Sequence, residues 1–274
     1  MKLGSTDINK LYLGSTEIKK AYLGSTLIYD KTGGAAFAPP DITNLKFWID
    51  ADDSNTITET SGAVSQWDDK SGNDYHVTQG TGSGQPETGT QTINSRNAVY
   101  FDTSLEYLSN ASDLNIDGDF TANFLLSVSG DNNTLQYFLG TQGNTQGFYS
   151  GGTYNQSGIS PGDTGVVGAG GALDISEDEG ITNGTAFVAT FIKDGTDLSL
   201  YINGTLLATK ASAAFTGFSS ILIGARNTGQ SVLAFYGLIG EVTIYDRVLT
   251  ASELNQLNGE YIADKWGITW TDIT

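Results

Sequence analysis

A ten-residue pattern of apolar and small residues repeats at the start of the chain. The tetrapeptide Leu-Gly-Ser-Thr occurs three times, at residues 3–6, 13–16 and 23–26. A Gly-Ser pair between β-prone segments suits a type II′ hairpin turn, because glycine accepts the positive φ that its first central position requires. The repeat therefore predicts a three-stranded β-meander over residues 6–30.

Both faces of this predicted meander carry apolar side chains. With turns at the Gly-Ser pairs, Leu11 pairs with Ile18 and Tyr22 pairs with Leu27. One apolar face then consists of Leu11, Leu13, Ile18, Tyr22, Leu27 and Tyr29. A sheet of about 25 residues is too small to cover two apolar faces by itself. We therefore expect residues 1–30 to be an assembly or attachment sheet, covered by sister copies, a larger assembly or the following domain. The alternative is a small subdomain that folds back on its own chain.

The pattern changes after this repeat. Residues 31–41 combine small residues with Pro39-Pro40 and show no periodicity, which is typical of a linker. From residue 42 onward, short apolar runs alternate with polar turns, and this pattern predicts a β-sandwich over residues 42–274.

Two local signals within residues 42–274 are specific. Asn203-Gly204 lies between two alternating runs and predicts a type I′ hairpin turn. The segment Thr250-Ala251-Ser252-Glu253 is a capping box, and apolar residues follow it at helical spacing up to Gly267. The sequence therefore predicts one C-terminal helix on the sandwich.

The charge balance excludes several partners. The chain has 13 Lys plus Arg against 31 Asp plus Glu, which gives a formal net charge of −18. Because such a chain repels phosphates and anionic lipids, we expect no nucleic acid partner and no membrane insertion. There is no cysteine, and His76 is the single histidine, so neither a disulfide framework nor a zinc site is expected. The first residues lack the apolar stretch of a signal peptide.

Several segments after the linker resemble the framework of concanavalin A-like, laminin-G-like jelly rolls. They are Leu45–Asp52, Val64–Asn73, Ala98–Asp102, Leu200–Gly204, Ile221–Gly224, Gly237–Leu249 and Tyr261–Gly267. This resemblance implies an all-β fold: a concanavalin A-like jelly-roll β-sandwich with one C-terminal helix, preceded by the small N-terminal β-meander.

The N-terminal repeat resembles segments at the starts of bacteriophage structural proteins, where they precede variable and often lectin-like domains. This resemblance implies a virion surface protein, such as a tail or head fibre, a spike or a capsid decoration. Such a protein is made in the host cytoplasm without a signal peptide. The implied partners are further copies of the chain in a homo-oligomer, with a trimer preferred, other virion proteins bound through residues 1–30, and a host cell-surface glycan.

The resemblance also raises the possibility of catalysis. Some concanavalin A-like folds are glucanases that carry the spacing Glu-x-Asp-x-x-Glu on one strand. That spacing does not occur in this sequence. A nucleophilic triad lacks support as well, since cysteine is absent and His76 is the only imidazole. We therefore expect a protein that is not an enzyme.

Sugar binding needs aromatic faces beside polar donors. The Gly-rich segment 148–156 offers Tyr149, Tyr154, Asn155 and Gln156 for this purpose. An ordinary exposed loop is the alternative interpretation of that segment. Two further hypotheses stay open for the whole chain: a free lectin or glycan-active enzyme, and a capsid decoration that binds no glycan.

No cofactor is required by any motif, and calcium is the ion that the sequence favours, since carboxylates and loop carbonyls are plentiful. Asp117 and Asp119 lie in the best local candidate, residues 115–119, and Asp102 is a further candidate ligand. The alternative interpretation of residues 115–119 is a Gly-centred turn.

Overall fold

The computed structural model describes short strands within residues 2–30 and most of the chain from residue 37 onward. From there the residues left undescribed are 103–104, 117, 130–135, 141–146, 151–165, 171–174, 179–183, 212–217, 227 and 229–233. Contacts divide the chain into two units, Met1–Asp41 and Ile42–Thr274. Among the described residues, no helix combines the length and the apolar character that crossing a membrane would require.

The described residues of the first unit form three successive hairpins. Their strands are β1 (Lys2–Leu3), β2 (Thr6–Asp7), β3 (Leu11–Leu13), β4 (Thr16–Ile18), β5 (Lys20–Leu23) and β6 (Thr26–Asp30). The predicted partners Leu11–Ile18 and Tyr22–Leu27 face each other. Each hairpin forms its own two-stranded sheet, in place of the single meander expected. The reason is the short period of the repeat, because the two strands that pair in each hairpin are separated by only two residues of the chain.

A 3-10 turn at Pro39–Asp41 ends the first unit. Among its described residues, the second unit contains the remaining strands and two short 3-10 turns, at Ser54–Thr56 and Gly82–Gly84. The strands are β7 (Leu45–Asp50), β8 (Ile57–Thr60), β9 (Ala63–Trp67), β10 (Val77–Thr78), β11 (Thr92–Ile93), β12 (Arg96–Asn97), β13 (Val99–Phe101), β14 (Leu108–Asn110), β15 (Phe120–Val128), β16 (Gln136–Gly140), β17 (Gly147–Ser150), β18 (Val166–Gly170), β19 (Ile175–Asp178), β20 (Ala186–Asp194), β21 (Asp197–Ile202), β22 (Thr205–Lys210), β23 (Ile221–Ile223) and β24 (Gly237–Tyr245).

These strands form two large antiparallel sheets and one small hairpin. The nine-stranded sheet has the order β19-β18-β17-β16-β23-β14-β10-β9-β8. The seven-stranded sheet has the order β22-β21-β20-β15-β24, and both β13 and β7 pair with the other side of β24. Strands β11 and β12 pair only with each other. The predicted all-β sandwich is confirmed.

Aromatic side chains from both sheets meet in the core. The ring of Phe148 on β17 lies 4.4 Å from that of Phe191 on β20 and 5.3 Å from that of Phe124 on β15, measured between centroids. Such tilted aromatic contacts add to the free energy gained by removing apolar surface from water. The facing sheets are therefore joined by an aromatic core.

The C-terminal helix, α1, runs without a break through three pieces. It is α-helical over Ala251–Leu254, π-helical over Asn255–Ala263 and α-helical again over Asp264–Trp266. The predicted capping box of Thr250 and Glu253 is present at its start. Arg247 donates to both carboxylate oxygens of Glu253, at 2.7 and 2.9 Å, and lowers the pKa of Glu253 to about 2.

The β11–β12 hairpin contacts the end of α1, and the C-terminal tail contacts its first half. The Asn94 side chain donates to the carbonyl oxygen of Trp266 at 2.8 Å. In the tail, the amide of Ile273 donates to Asn255 Oδ1 at 2.8 Å, and the amide of Thr271 donates to the Asn203 carbonyl at 2.9 Å. The tail is thereby tied to the predicted Asn203-Gly204 turn, whose two residues both have positive φ.

A methyl group at Gly204 tests this contact. Gly204 has φ +84°, and a Cβ there would lie 1.8 Å from the Thr271 carbonyl oxygen. We expect Gly204→Ala to lower the free energy of unfolding in urea by about 2 kcal/mol or more, because backbone strain and a steric clash add. Gly195→Ala is the matched control, since Gly195 has φ +57° but no neighbour within 4 Å of the added carbon. Equal losses in the two variants would contradict the predicted role of the tail.

Candidate functional site

Four polar side chains form a row across neighbouring strands of the nine-stranded sheet. Each of these side chains has a sequence neighbour that packs against the hydrophobic core. Because successive residues of a strand point to opposite faces, the row lies on the face of the sheet away from the core. Each member is the register partner of the next, which spaces them by about 4.8 Å. We call this set the outer row: Thr58 on β8, Gln66 on β9, Thr78 on β10 and Ser109 on β14. The two threonines are exposed, and the other two residues are partly exposed.

An aspartate and the single histidine adjoin the outer row. Gln66 donates through its side-chain amide to Asp68 Oδ1 at 2.6 Å, and His76 Nδ1 lies 3.5 Å from the same oxygen. His76 Nδ1 also accepts from the backbone amide of Asp69 at 3.0 Å. Hydroxyl, amide, carboxylate and imidazole groups thus lie together on one accessible face. This combination of donors and acceptors suits a ligand rich in hydroxyl groups.

At β16 and β17 of this sheet, the face away from the core is filled by the chain itself. Tyr137 on β16 and Tyr149 on β17 are register partners with ring centroids 5.4 Å apart, and they are only 2% and 4% exposed. The Arg226 guanidinium lies 5.6 Å from the Tyr137 ring. A Cβ at Gly140 would lie 2.4 Å from the Arg226 carbonyl oxygen, so the backbone packs closely there.

One of the four residues predicted to bind sugar lies in this filled region. Tyr149 is buried beside Tyr137, while Tyr154, Asn155 and Gln156 lie outside the described residues. Their role in binding stays a prediction. The outer row was missed by the sequence analysis, because β10 has only two residues and its neighbours are set by long-range pairing. One signal was available: Gln66 directly precedes the buried Trp67 on a strand, so its side chain is directed to the opposite face.

The predicted calcium ligands are not brought into one group by the described part of the chain. Asp102 is exposed, and its backbone amide donates to Glu106 Oε2 at 2.7 Å. The Asp119 carboxylate accepts from the backbone amide of Gly195 at 2.7 Å. Asp117 lies outside the described residues. Among those that are described, no set of three or more His, Asp or Glu side chains is placed to hold a metal ion, and calcium binding stays a prediction.

A second group of polar side chains lies beneath the end of α1. Asp50 on β7 and Glu241 on β24 are register partners. Lys265 Nζ lies 2.6 Å from Asp50 Oδ1 and 3.0 Å from Glu241 Oε2, while Lys70 Nζ lies 3.2 Å from Asp50 Oδ2. We call these four residues the buried charge cluster: Asp50, Lys70, Glu241 and Lys265.

Indole groups complete the surroundings of Glu241. Trp48 Nε1 donates to Glu241 Oε1 and Trp266 Nε1 donates to Glu241 Oε2, each at 2.9 Å. The Glu241 side chain is 0% exposed. The described surface therefore gives a ligand no direct access to this carboxyl group, in contrast to the outer row.

Burial and charge perturb the acid–base properties of this cluster. Burial, followed by the charge of Asp50, raises the pKa of Glu241 above its ordinary value, although Lys265 opposes this shift. Burial alone would lower the pKa of Lys70, but hydrogen bonds and charges from Asp53 and Asp50 raise it overall. The cluster thus holds a carboxyl group with increased proton affinity beside a lysine amine.

The sequence profile of the Concanavalin A-like lectin/glucanases superfamily, in its Laminin_G_3 form, matches residues 101–255. The chain belongs to this superfamily. The resemblance inferred from the framework segments is thereby confirmed at the level of the superfamily. A search of curated protein sequences found no match.

Solved structures share the superfamily fold. Domain 4 of AbnA, a GH43 extracellular arabinanase from Geobacillus stearothermophilus, in complex with arabinotriose, matches with 17% identity and a TM-score of 0.54, covering 78% of this chain and 98% of that one. Trypanosoma rangeli sialidase in complex with sialic acid matches with 13% identity and a TM-score of 0.57, covering 84% of this chain and 34% of the sialidase. A GH54 arabinofuranosidase variant matches with 13% identity and a TM-score of 0.55, covering 74% of this chain and 51% of that enzyme.

These matches show the fold, and the chain spans about a third of the sialidase and about half of the arabinofuranosidase. The expectation that this superfamily member is not an enzyme was wrong, because the similar structures belong to glycoside hydrolases. The sequence search considered carboxylates on a single strand only. Strands distant in sequence also bring carboxyl groups together, as β7 and β24 do for Asp50 and Glu241 in the inaccessible buried charge cluster.

Removal of one lysine tests the electrostatics of the buried charge cluster. We expect Lys265→Met to lower the free energy of unfolding at pH 7 by about 3 kcal/mol or more relative to the unaltered chain with a free Lys265 amine, because two buried carboxyl groups lose their shared cation. Carboxyl groups with a raised pKa in the folded state cost more stability as pH rises, so the loss shrinks when urea unfolding is measured at lower pH. Lys46→Met is the control, since its pair with Asp246 is partly exposed; a comparable loss there would contradict the prediction.

Proposed function

We propose that this superfamily member is a glycan-binding protein and that the outer row holds the hydroxyl groups of the sugar. The observation that carries the proposal is the row itself, in which four partly or fully exposed polar side chains lie side by side across four strands. Regularly spaced donors and acceptors on a rigid sheet are preorganised for hydroxyl groups on successive ring carbons.

Charge around the outer row favours a neutral glycan. Asp68 and Asp74 flank His76, with side chains 35% and 88% exposed. The chain as a whole carries a formal net charge of −18. A sialylated or uronic acid-containing glycan would meet like charges there, which weakens association.

Loss of one amide from the outer row tests the site. We expect the full-length protein to bind neutral oligosaccharides in preference to sialylated ones. The variant Gln66→Ala should weaken this binding by about fivefold to tenfold, because a hydrogen-bonding group is lost. Binding is measured on a glycan array and then by calorimetry. The same samples are analysed for shortened oligosaccharides, since the fold also occurs in glycoside hydrolases.

The seven-stranded sheet supplies a matched control. Ser199 Oγ and Thr209 Oγ1 lie 2.9 Å apart on β21 and β22, again as polar register partners. The double variant Ser199→Ala and Thr209→Ala should bind the same glycan with unchanged affinity. Undiminished binding by Gln66→Ala, or equal weakening in this control, would contradict the assignment of the site.

We further infer that residues 1–30 attach the glycan-binding unit to the surface of a bacteriophage particle, as part of a fibre, spike or decoration. Tandem two-stranded hairpins support this inference, because an isolated hairpin is marginally stable in water and gains stability from a partner surface. A homo-oligomer, with a trimer preferred, supplies such a surface, and other virion proteins are the second class of partner. Synthesis in the host cytoplasm is part of the same proposal.

The mass of the protein in solution tests assembly through the hairpins. We expect light scattering to give a defined oligomer for the full chain and a monomer for the double variant Leu11→Asp and Tyr22→Asp, because charge on a packed apolar face prevents association. Glu17→Lys, which lies on the opposite predicted face, serves as the control and should remain oligomeric. A monomeric unaltered chain would contradict self-assembly.

A further inference from the structure

One amine in the buried charge cluster contacts two carboxyl groups at once. Lys265 Nζ is within 2.6 Å of Asp50 Oδ1 and 3.0 Å of Glu241 Oε2. The side chains of Asp50 and Lys265 are 6% and 16% exposed. An amine and a carboxyl group held together in a nearly dry site have a high effective concentration, and bulk water does not compete with the amine. These are the reactants of an amide bond.

We propose that Lys265 and Asp50 form an intramolecular isopeptide bond, with Glu241 as the residue that transfers the protons. The bond joins Lys265 Nζ to Asp50 Cγ. It links the end of α1 covalently to strand β7, two elements that are otherwise joined only by noncovalent contacts in this region. This modification is independent of the proposed glycan site, which lies on the other sheet.

The reaction begins with proton transfer inside the cluster. Glu241 takes a proton from the Lys265 ammonium and passes it to Asp50 Oδ1, which leaves a neutral amine beside a neutral acid. The nitrogen lone pair then attacks Asp50 Cγ, and the electrons of the C–Oδ2 π bond move to Oδ2. The negative charge that forms on Oδ2 lies beside the Lys70 ammonium, which is 3.2 Å away before reaction.

The second half of the reaction releases water. Glu241 takes a proton from the attacking nitrogen and delivers it to the Oδ1 hydroxyl. The C–Oδ1 bond breaks, its electron pair leaves with water, and the C–Oδ2 double bond forms again. One ammonium and one carboxylate have then become one amide and one water molecule. The net charge is unchanged, and no oxidant, reductant or co-reactant is needed.

The surroundings favour Lys265 over Lys70 as the nucleophile. Lys70 also pairs with Asp53 at 2.8 Å, and its pKa is raised by Asp53 and Asp50 despite burial, which keeps it protonated. Lys265 instead contacts Glu241, whose pKa is raised by burial and which is therefore suited to carry a proton between neighbours. The indole donors of Trp48 and Trp266 fix the Glu241 carboxyl group in place.

Energetics also favour the amide over the ion pair. Moving two charged groups from water into a protein interior costs free energy, and their mutual attraction offsets this desolvation penalty only in part. Condensation replaces them with a neutral amide, and the indole groups of Trp48 and Trp266 still donate to Glu241. The partly exposed ends of Lys70 and Lys265 give the released water a path to solvent.

Intact mass spectrometry of the full-length protein tests the proposal directly. We expect the folded protein, denatured in acid just before measurement, to be lighter than its sequence by the mass of one water molecule. A protease digest should contain a branched peptide in which Asp50 is joined to Lys265. A full sequence mass after prolonged incubation at neutral pH would overturn the proposal.

Variants separate the residues involved. Lys265→Arg preserves a cation but removes the amine, so this variant should show the full mass. Glu241→Gln should slow the loss of water by about a hundredfold or more, because general acid–base catalysis is removed. Lys46→Arg, altered at a surface pair with Asp246, should lose water like the unaltered chain.

Other locations of the mass loss would count against this assignment. Dehydration at Asp194-Gly195 produces a cyclic imide within one peptide and no branch, so the digest distinguishes it from the proposed bond. A branch at Lys70, or one joining Lys265 to Glu241, would overturn the roles of Lys265 as nucleophile and Glu241 as proton carrier. If Glu241→Gln fails to fold, the digest of the unaltered protein still decides whether Asp50 and Lys265 are joined.

Discussion

The structure depends on one long strand pair that is buried on both faces. Every residue of β15 is buried, and β24 runs beside it with a single partly exposed position. One face of this pair carries the aromatic residues that meet the nine-stranded sheet, and the other face carries polar residues. Because buried polar groups require partners, that second face cannot be closed by apolar packing alone.

Helix α1 supplies those partners. Asn258 is buried and donates to Asn123 Oδ1 at 2.7 Å and to Thr190 Oγ1 at 3.1 Å, which joins the helix to β15 and β20. Lys265 and Trp266 supply donors to Glu241 on β24. The C-terminal segment is thus required by the polar chemistry of the sheet beneath it, and its own ends are fixed by a capping box and by the tail.

This arrangement divides the sandwich into a closed side and an open side. The closed side contains charged groups with perturbed proton affinity that ligands do not reach, and its chemistry is directed at the protein's own side chains. The open side of the nine-stranded sheet presents hydroxyl and amide groups without burying them. A covalent link on the closed side would stabilise the seven-stranded sheet, against which the sheet with the proposed glycan site packs, without altering the site.

Local signals in the sequence determined the turns and the helix start. The Gly-Ser hairpins, the Asn203-Gly204 turn and the Thr250–Glu253 capping box occur as predicted, because each depends on backbone dihedrals and on hydrogen bonds within a few residues. The sandwich followed from the alternation of short apolar runs and from the resemblance of the framework segments. The tertiary structure alone decided that β10 lies between β9 and β14, which creates the outer row, and that Asp50, Glu241 and Lys265 meet. These neighbours are distant in the chain, and long-range pairing is fixed by how whole faces pack together, which no local pattern of residues encodes.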